Sequence, residues 1–162
     1  MDQSQQAGAV TEMKSPPPVE AREMRVLWLS VIGEPIPQGS MKALMPKGGR
    51  FPVVMSDNKR TMPWRQQIAG TALATMNELD YRKCDRSLPI AVELCFVFEK
   101  PKSAKKSIIA KTTKPDVDKL ARNVLDALTG VVFEDDSQVT ELKAVKVFGD
   151  TPGVNIRITA EF

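Results

Sequence analysis

The stretch "LPIAVELCFVFEK", Leu88 to Lys100, limits the fold more than any other. It is long, apolar and rich in Ile, Val and Phe, which suits a strand at the centre of a sheet. A central strand needs partners on both sides, and the chain offers several. "MRVLWLSVIG" from Met24 reads as a first strand, ended by the proline- and glycine-rich "GEPIPQGS". "MKALMPKGGRFPVVMS" fits two short strands around Gly48-Gly49, and "QVTELKAVKVFG" and "GVNIRITAEF" give two more, joined at a "DTPG" turn.

Two segments have helical period instead. From Pro63 to Leu79, residues Trp64, Ile68, Thr71, Ala72 and Met76 recur at helical spacing, and proline suits a first turn. After Pro115, Val117, Leu120, Ala121, Val124, Leu125 and Leu128 line one face of a second helix. Asp118, Lys119, Arg122, Asn123 and Asp126 line the other face, and Gly130 closes the helix. The expectation is a single α/β (α+β) domain over residues 24–162, a mixed sheet packed with two main helices. Residues 1–23 are polar and proline-rich without hydrophobic period, the pattern of a disordered tail.

Composition narrows the chemistry. With no histidine in 162 residues, the Ser-His-Asp triad, the Cys-His pair and histidine-containing zinc sites are excluded. Cys84 and Cys95 make no disulfide framework or CxxC site; both read as free structural thiols in a reducing compartment, with Cys95 a core residue. No apolar run is long enough to cross a bilayer, and the start lacks a secretory pattern. A soluble, cytoplasmic protein is expected. Its net charge is +3; residues 1–23 hold four acids and two bases, which leaves +5 on the remainder. That sign permits nucleic acid as a partner without requiring it.

Charges concentrate in one region. Six lysines and no acid lie between Lys100 and Lys114, a solvated loop or a phosphate-binding one. Next come Asp116 and Asp118 at a helix start, and Asp135 and Asp136 where the following strand opens. Singly, each has an ordinary explanation: Asp116 as a helix cap, Asp118 and Arg122 as a surface ion pair, Asp135-Asp136 as turn chemistry. Together they suit Mg²⁺, a hard ion bound through a few carboxylates that relieves their repulsion. This requires "GVVFE" to run back along the helix and bring the two pairs into reach.

"KPDVDKLARNVLDALTGVVFEDDSQVTELKAVK" closely resembles the RusA family of Holliday junction resolvases, endonucleases that cut four-way DNA junctions. The family pattern runs Asp-x-Asp-Asn-Leu, a basic residue, Asp-Ala-Leu, Asp-Asp-x-Gln-Val and a downstream lysine. Here Asp116, Asp118, Leu120, Asp126-Ala127-Leu128, Asp135-Asp136, Gln138-Val139 and Lys146 fall into those places. "GEPIPQGSMK" and Trp64-Arg65 are similar to the family's N-terminal part, so the resemblance spans roughly Val26 to Phe148. It implies catalytic Asp116, Asp118 and Asp136, an essential basic Arg122, and a homodimer acting on branched DNA within a bacterial or phage-infected cell, at the nucleoid. Lys119 stands where the family usually has asparagine, and Arg122 where the best-known members have lysine.

The implied activity is Mg²⁺-dependent resolution of four-way junctions by paired symmetric nicks in recombination and repair, with Mn²⁺ as a substitute ion. Asp116, Asp118 and Asp136 would bind the metal, with Asp135 a further candidate ligand, and Arg122 would stabilise transition-state charge. Lys102, Lys105, Lys106, Lys114, Lys119 and Lys146 are the candidates for phosphate contact, with Lys42, Lys47, Arg50, Lys59 and Arg60 beyond them. Two other readings are a Mg²⁺-dependent nuclease for flaps or forks, and a junction-binding protein without activity.

Overall fold

Ile90–Glu99 forms β4, and alternate residues Ile90, Val92, Leu94, Phe96 and Phe98 turn one face wholly into the core. Each such side chain contributes roughly 1.5–3 kcal/mol of burial, so this strand anchors the domain. The computed structural model describes residues 24–39, 41–56, 58–105 and 107–161. The expected tail at residues 1–23 lies outside them.

The other strands are β1 (Met24–Ile32), β2 (Met41–Leu44), β3 (Val53–Ser56), β5 (Val139–Gly149) and β6 (Gly153–Glu161). Four of them form a mixed sheet in the order β1-β6-β4-β5, with β4 parallel to β5 and antiparallel to β6. β2 and β3 pair separately as an antiparallel hairpin. Helix α1 spans Thr61–Glu78 and α2 spans Val117–Leu128; they pack on each other and on the sheet's core face. The result is the α+β domain that the sequence pattern implied, with β4 at its centre.

α1 buries Thr61, Trp64, Ile68, Ala72 and Met76 along one stripe. α2 buries Leu120, Ala121, Asn123, Val124, Ala127 and Leu128, and Gly130 closes it with φ 78°. Two local expectations change. Asn123 belongs to the buried face, not the polar one, because hydrogen bonds satisfy it there. Cys95 sits half-buried on the sheet's open face, whereas Cys84 is the buried thiol; both are free. The "DTPG" turn joins β5 to β6 as expected, and in the sheet β4 lies between those two strands. β6 starts close against β1: a Cβ on Gly153 would fall 2.5 Å from the Val31 carbonyl oxygen.

Candidate active site

The site begins where the chain enters α2. Residues 109–111 run along the free side of β5, with Phe148 N–H donating to Ile109 O (2.8 Å) and Lys111 N–H to Lys146 O (3.1 Å). The Lys146 ammonium then donates to the carbonyls of Thr113 (2.8 Å) and Pro115 (2.6 Å). From the other side, Gln38 N–H bonds Lys119 O at 2.9 Å, docking the "GEPIPQG" loop on the first turn of α2. Between loop and helix lies an open cleft of 510 Å³, lined by Glu34, Arg60, Lys114, Asp116 and Lys119 among others.

Of its acids, Glu34 pairs with Arg60 at 2.8 Å, whereas Asp116 does not cap the helix it precedes. Asp116 occupies the N-cap position of α2, yet its side chain makes no capping hydrogen bond. It faces Lys119 at 3.6 Å, and both side chains are about half exposed. Asp118 is exposed one residue into the helix, where the macrodipole favours a negative charge. The ordinary ion pair expected between Asp118 and Arg122 is not formed, and Arg122 is exposed with no ion-pair partner among the described residues.

Asp135 and Asp136 lie elsewhere. Asp135 caps a 3-10 turn, Asp136–Gln138, by accepting from Ser137 N–H at 2.9 Å. Gln138 completes the cap from a buried position. Its amide oxygen accepts from the N–H groups of Glu134 (2.8 Å) and Asp135 (3.1 Å), while its amide nitrogen donates to Asp85 O (2.7 Å) and Leu88 O (3.2 Å). Hydrogen bonds from Ser137, and then Arg86 4.0 Å away, hold the Asp135 carboxyl below its ordinary pKa. Thus Asp135 is occupied as a cap, and Asp136 is the exposed acid of the pair.

One chain does not bring the two pairs together. "GVVFE" folds back on the end of α2 instead of running along it: Gly130 N–H bonds Phe133 O (2.7 Å), and Val132 N–H bonds Leu128 O (2.9 Å). Val132 and Phe133 are both 0% exposed, so their burial beneath the helix end holds the segment there. Asp116 and Asp136 are therefore separated by the length of α2, about 18 Å for its 12 residues. Among the described residues, no three carboxylates or thiols are grouped closely enough to hold a metal ion.

Sequence reasoning missed a network between the helices. Arg65 Nε donates to Asn123 Oδ1 (2.6 Å), its guanidinium also pairs with Asp126, and Asn123 Nδ2 donates to Ile36 O (2.7 Å). The network ties α1, α2 and the cleft loop together, giving Asp126 a structural role. The signals were present as Trp64-Arg65 and Asp126-Ala127-Leu128, but their meeting spans about sixty residues of chain.

The basic candidates divide by place. Lys114 and Lys119 line the cleft, and Lys102 and Lys105 are exposed on the loop after β4. Lys106 and the side chain of Lys42 lie outside the described residues. Lys146 differs from its sequence reading, because two of its three donors are spent on backbone carbonyls. Lys111 sits over the rings of Phe98 (5.1 Å) and Phe148 (5.6 Å); partial burial, then Lys146, lowers its pKa.

A mixed-sheet domain with an acidic helix start beside a basic cleft is suited to hydrolysing phosphodiesters. Residues 33–159 match the family of endodeoxyribonuclease RusA. The chain belongs to this family of endodeoxyribonucleases. It is also 30% identical over 146 residues to the uncharacterized protein YqaN of Bacillus subtilis (strain 168), covering 83% of this chain and 96% of that one.

Proposed function

We propose that this protein is a Mg²⁺-dependent endonuclease that resolves four-way DNA junctions by paired nicks, acting as a homodimer in the cytoplasm. Residues 24–162 form its nuclease domain, with residues 1–23 outside it. One observation carries the reading: Asp116 stands at the N-cap of α2 without capping it, beside Asp118, Arg122 and a cleft edged with lysines. The exposed Asp116–Lys119 pair is worth little by itself, and Asp118 and Arg122 form no ion pair among the described residues.

The metal places a demand on the assembly. Asp116 and Asp118 have oxygen-donor chemistry suited to Mg²⁺, but a single chain's set does not fit the ion, since Asp136 is a helix length away. In the proposed homodimer, Asp136 of one copy joins Asp116 and Asp118 of the other. When bound, the ion supplies neutralisation of phosphate charge and a more acidic water. Arg122 meets charge developing on the phosphate, while Lys114 and Lys119 hold the neighbouring backbone. Without histidine, carboxylates are the candidate proton acceptors.

No helix among the described residues is long and apolar enough to cross a membrane. A nicking assay on a synthetic four-way junction, with three-way and flap substrates beside it, tests the proposal. Paired nicks in the four-way junction with Mg²⁺, abolished by EDTA, are expected. Preference for flaps or forks would reassign the substrate, and binding without cutting under any divalent ion would overturn the enzymatic reading.

A further inference from the structure

A second cavity, of 490 Å³, adjoins the cleft, and Glu34 belongs to the walls of both. Sites for small ligands run from about 300 to 1,000 Å³, so its size suits a bound group. It lies where the sheet's strands end together. Ile32 closes β1, Phe98 and Glu99 close β4, Phe148 is near the end of β5, and Pro152 precedes β6. Backbone bonds hold this frame: Gly33 N–H donates to Pro152 O at 3.0 Å, and Phe148 N–H donates to Ile109 O at 2.8 Å.

The lining selects a class of ligand. Phe98 and Phe148 supply aromatic surface, and the Lys111 ammonium lies over both, 5.1 and 5.6 Å from the ring centres. The other charged lining residues are two carboxylates, Glu34 and Glu99, against that one ammonium. Such a balance does not attract a phosphate; it suits a neutral planar group that stacks on a ring. Outside, the charge reverses. Lys102 and Lys105 are exposed on the loop that continues from Pro101, and Lys114 lines the cleft three residues after Lys111. Neutral aromatic surface within and cations around it match a nucleic-acid strand with one base turned out.

We infer that this cavity takes one unpaired nucleobase of the bound DNA, stacked against Phe148, while Lys111 meets the phosphate of that nucleotide. The inference rests on the nuclease reading. Phe148 is the platform because it is half-buried, whereas Phe98 is only 7% exposed. In the free protein Lys111 covers the rings and donates to Thr113 Oγ1 at 2.6 Å. Partial burial, then Lys146, lowers its pKa, so moving from the rings to a phosphate relieves both effects.

The cavity would also separate branched from linear DNA. Turning a base out costs least where its pairing is already broken, as at a branch point. Phosphate contacts alone carry no such discrimination. If the two rings merely cap the core, leucine at position 148 should serve DNA binding as well as phenylalanine does.

Fluorescence anisotropy of the full chain in EDTA, where metal-dependent cutting is suppressed, tests the inference with two synthetic four-way junctions. One carries a single unpaired adenine at the branch; the other carries an abasic site in its place. The unaltered protein should bind the adenine junction roughly tenfold more tightly. Phe148→Leu should bring that ratio to about one while leaving affinity for the abasic junction unchanged. Phe148→Tyr, which keeps a ring, should preserve the ratio, and thermal unfolding checks that both variants fold. A ratio near one in the unaltered protein overturns the inference without any variant. A preference that survives in folded Phe148→Leu, or vanishes in Phe148→Tyr, overturns it as well. Junction cleavage with no preference for the base would sink the inference and leave the nuclease reading standing. Failure to bind either junction would count against the nuclease reading and take the inference with it.

Discussion

Lys146, on β5, donates to the carbonyl oxygen of Pro115 at 2.6 Å, fixing the backbone one residue before Asp116. Its second bond, to Thr113 O, holds the same segment two residues earlier. Lys146 thus sets the position of Asp116, the first of the proposed catalytic acids. Geometry near the chemistry is costly to lose: an error of about 1 Å can lower a rate about a hundredfold.

Lys146→Met should therefore cut nicking by roughly tenfold to a hundredfold, while junction affinity keeps its salt dependence. A phosphate contact behaves differently, its loss reducing the slope of log K against log salt by about 0.9. Measuring that slope decides the role. A drop of this size would make Lys146 a DNA contact after all.

The buried Asn123 gives a stability prediction. Asn123→Ala leaves the Ile36 carbonyl and the Arg65 Nε–H without their partners, at a cost of roughly 1–3 kcal/mol. The urea midpoint should fall accordingly. Nicking should fall with it, because Ile36 belongs to the loop that walls the cleft. An unchanged midpoint would show that water replaces both bonds.

These residues also mark what the sequence could convey. β4 and α2 were legible because period and apolar content are local properties, and β4's central place followed from its composition. Asn123 was misassigned because its partners, Arg65 and Ile36, are distant in sequence, and a polar side chain reads as exposed until they are known. "GVVFE" has enough residues to run back along α2. Only the pocket receiving Val132 and Phe133 makes it a turn. The acids were found individually, but their separation by α2 is a tertiary fact. Gln138 is the converse case: its place in the motif reflects a buried four-bond anchor, not catalysis.

Acid sensitivity should involve Asp135. Its folded pKa is depressed, mainly by hydrogen bonds from Ser137, so its contribution to stability is present above the ordinary carboxylate pKa of about 3.9. That contribution is lost as pH falls through the lower folded value. Asp135→Asn should accordingly show a shallower decline in melting temperature below about pH 4 than the parent. Parallel declines would remove Asp135 from the account.

The loop after β4 should act through charge. Replacing Lys102, Lys105 and Lys106 with alanine should weaken junction binding and flatten the salt slope by up to about 2.7, three contacts at about 0.9 each. Binding to four-way and linear DNA should weaken together, since phosphate contacts carry no sequence or base information. An unchanged slope would return these lysines to the solvated surface.

The proposed division of acids between copies predicts complementation. Asp116→Asn and Asp136→Asn should each abolish Mg²⁺-dependent nicking, because asparagine keeps the shape and removes the charge. Binding should persist, since each change removes a negative charge facing phosphate. Mixed and allowed to exchange, the two inactive proteins should regain activity: in a heterodimer, one site joins an intact Asp116 to an intact Asp136. Random exchange makes half the dimers heterodimers with one such site each, about a quarter of the parent's sites. Recovered activity should cut one strand of a junction and not two. A mixture as inactive as its components would place all the catalytic acids within one chain, and the helix-length separation of Asp116 and Asp136 would then need a rearrangement on DNA.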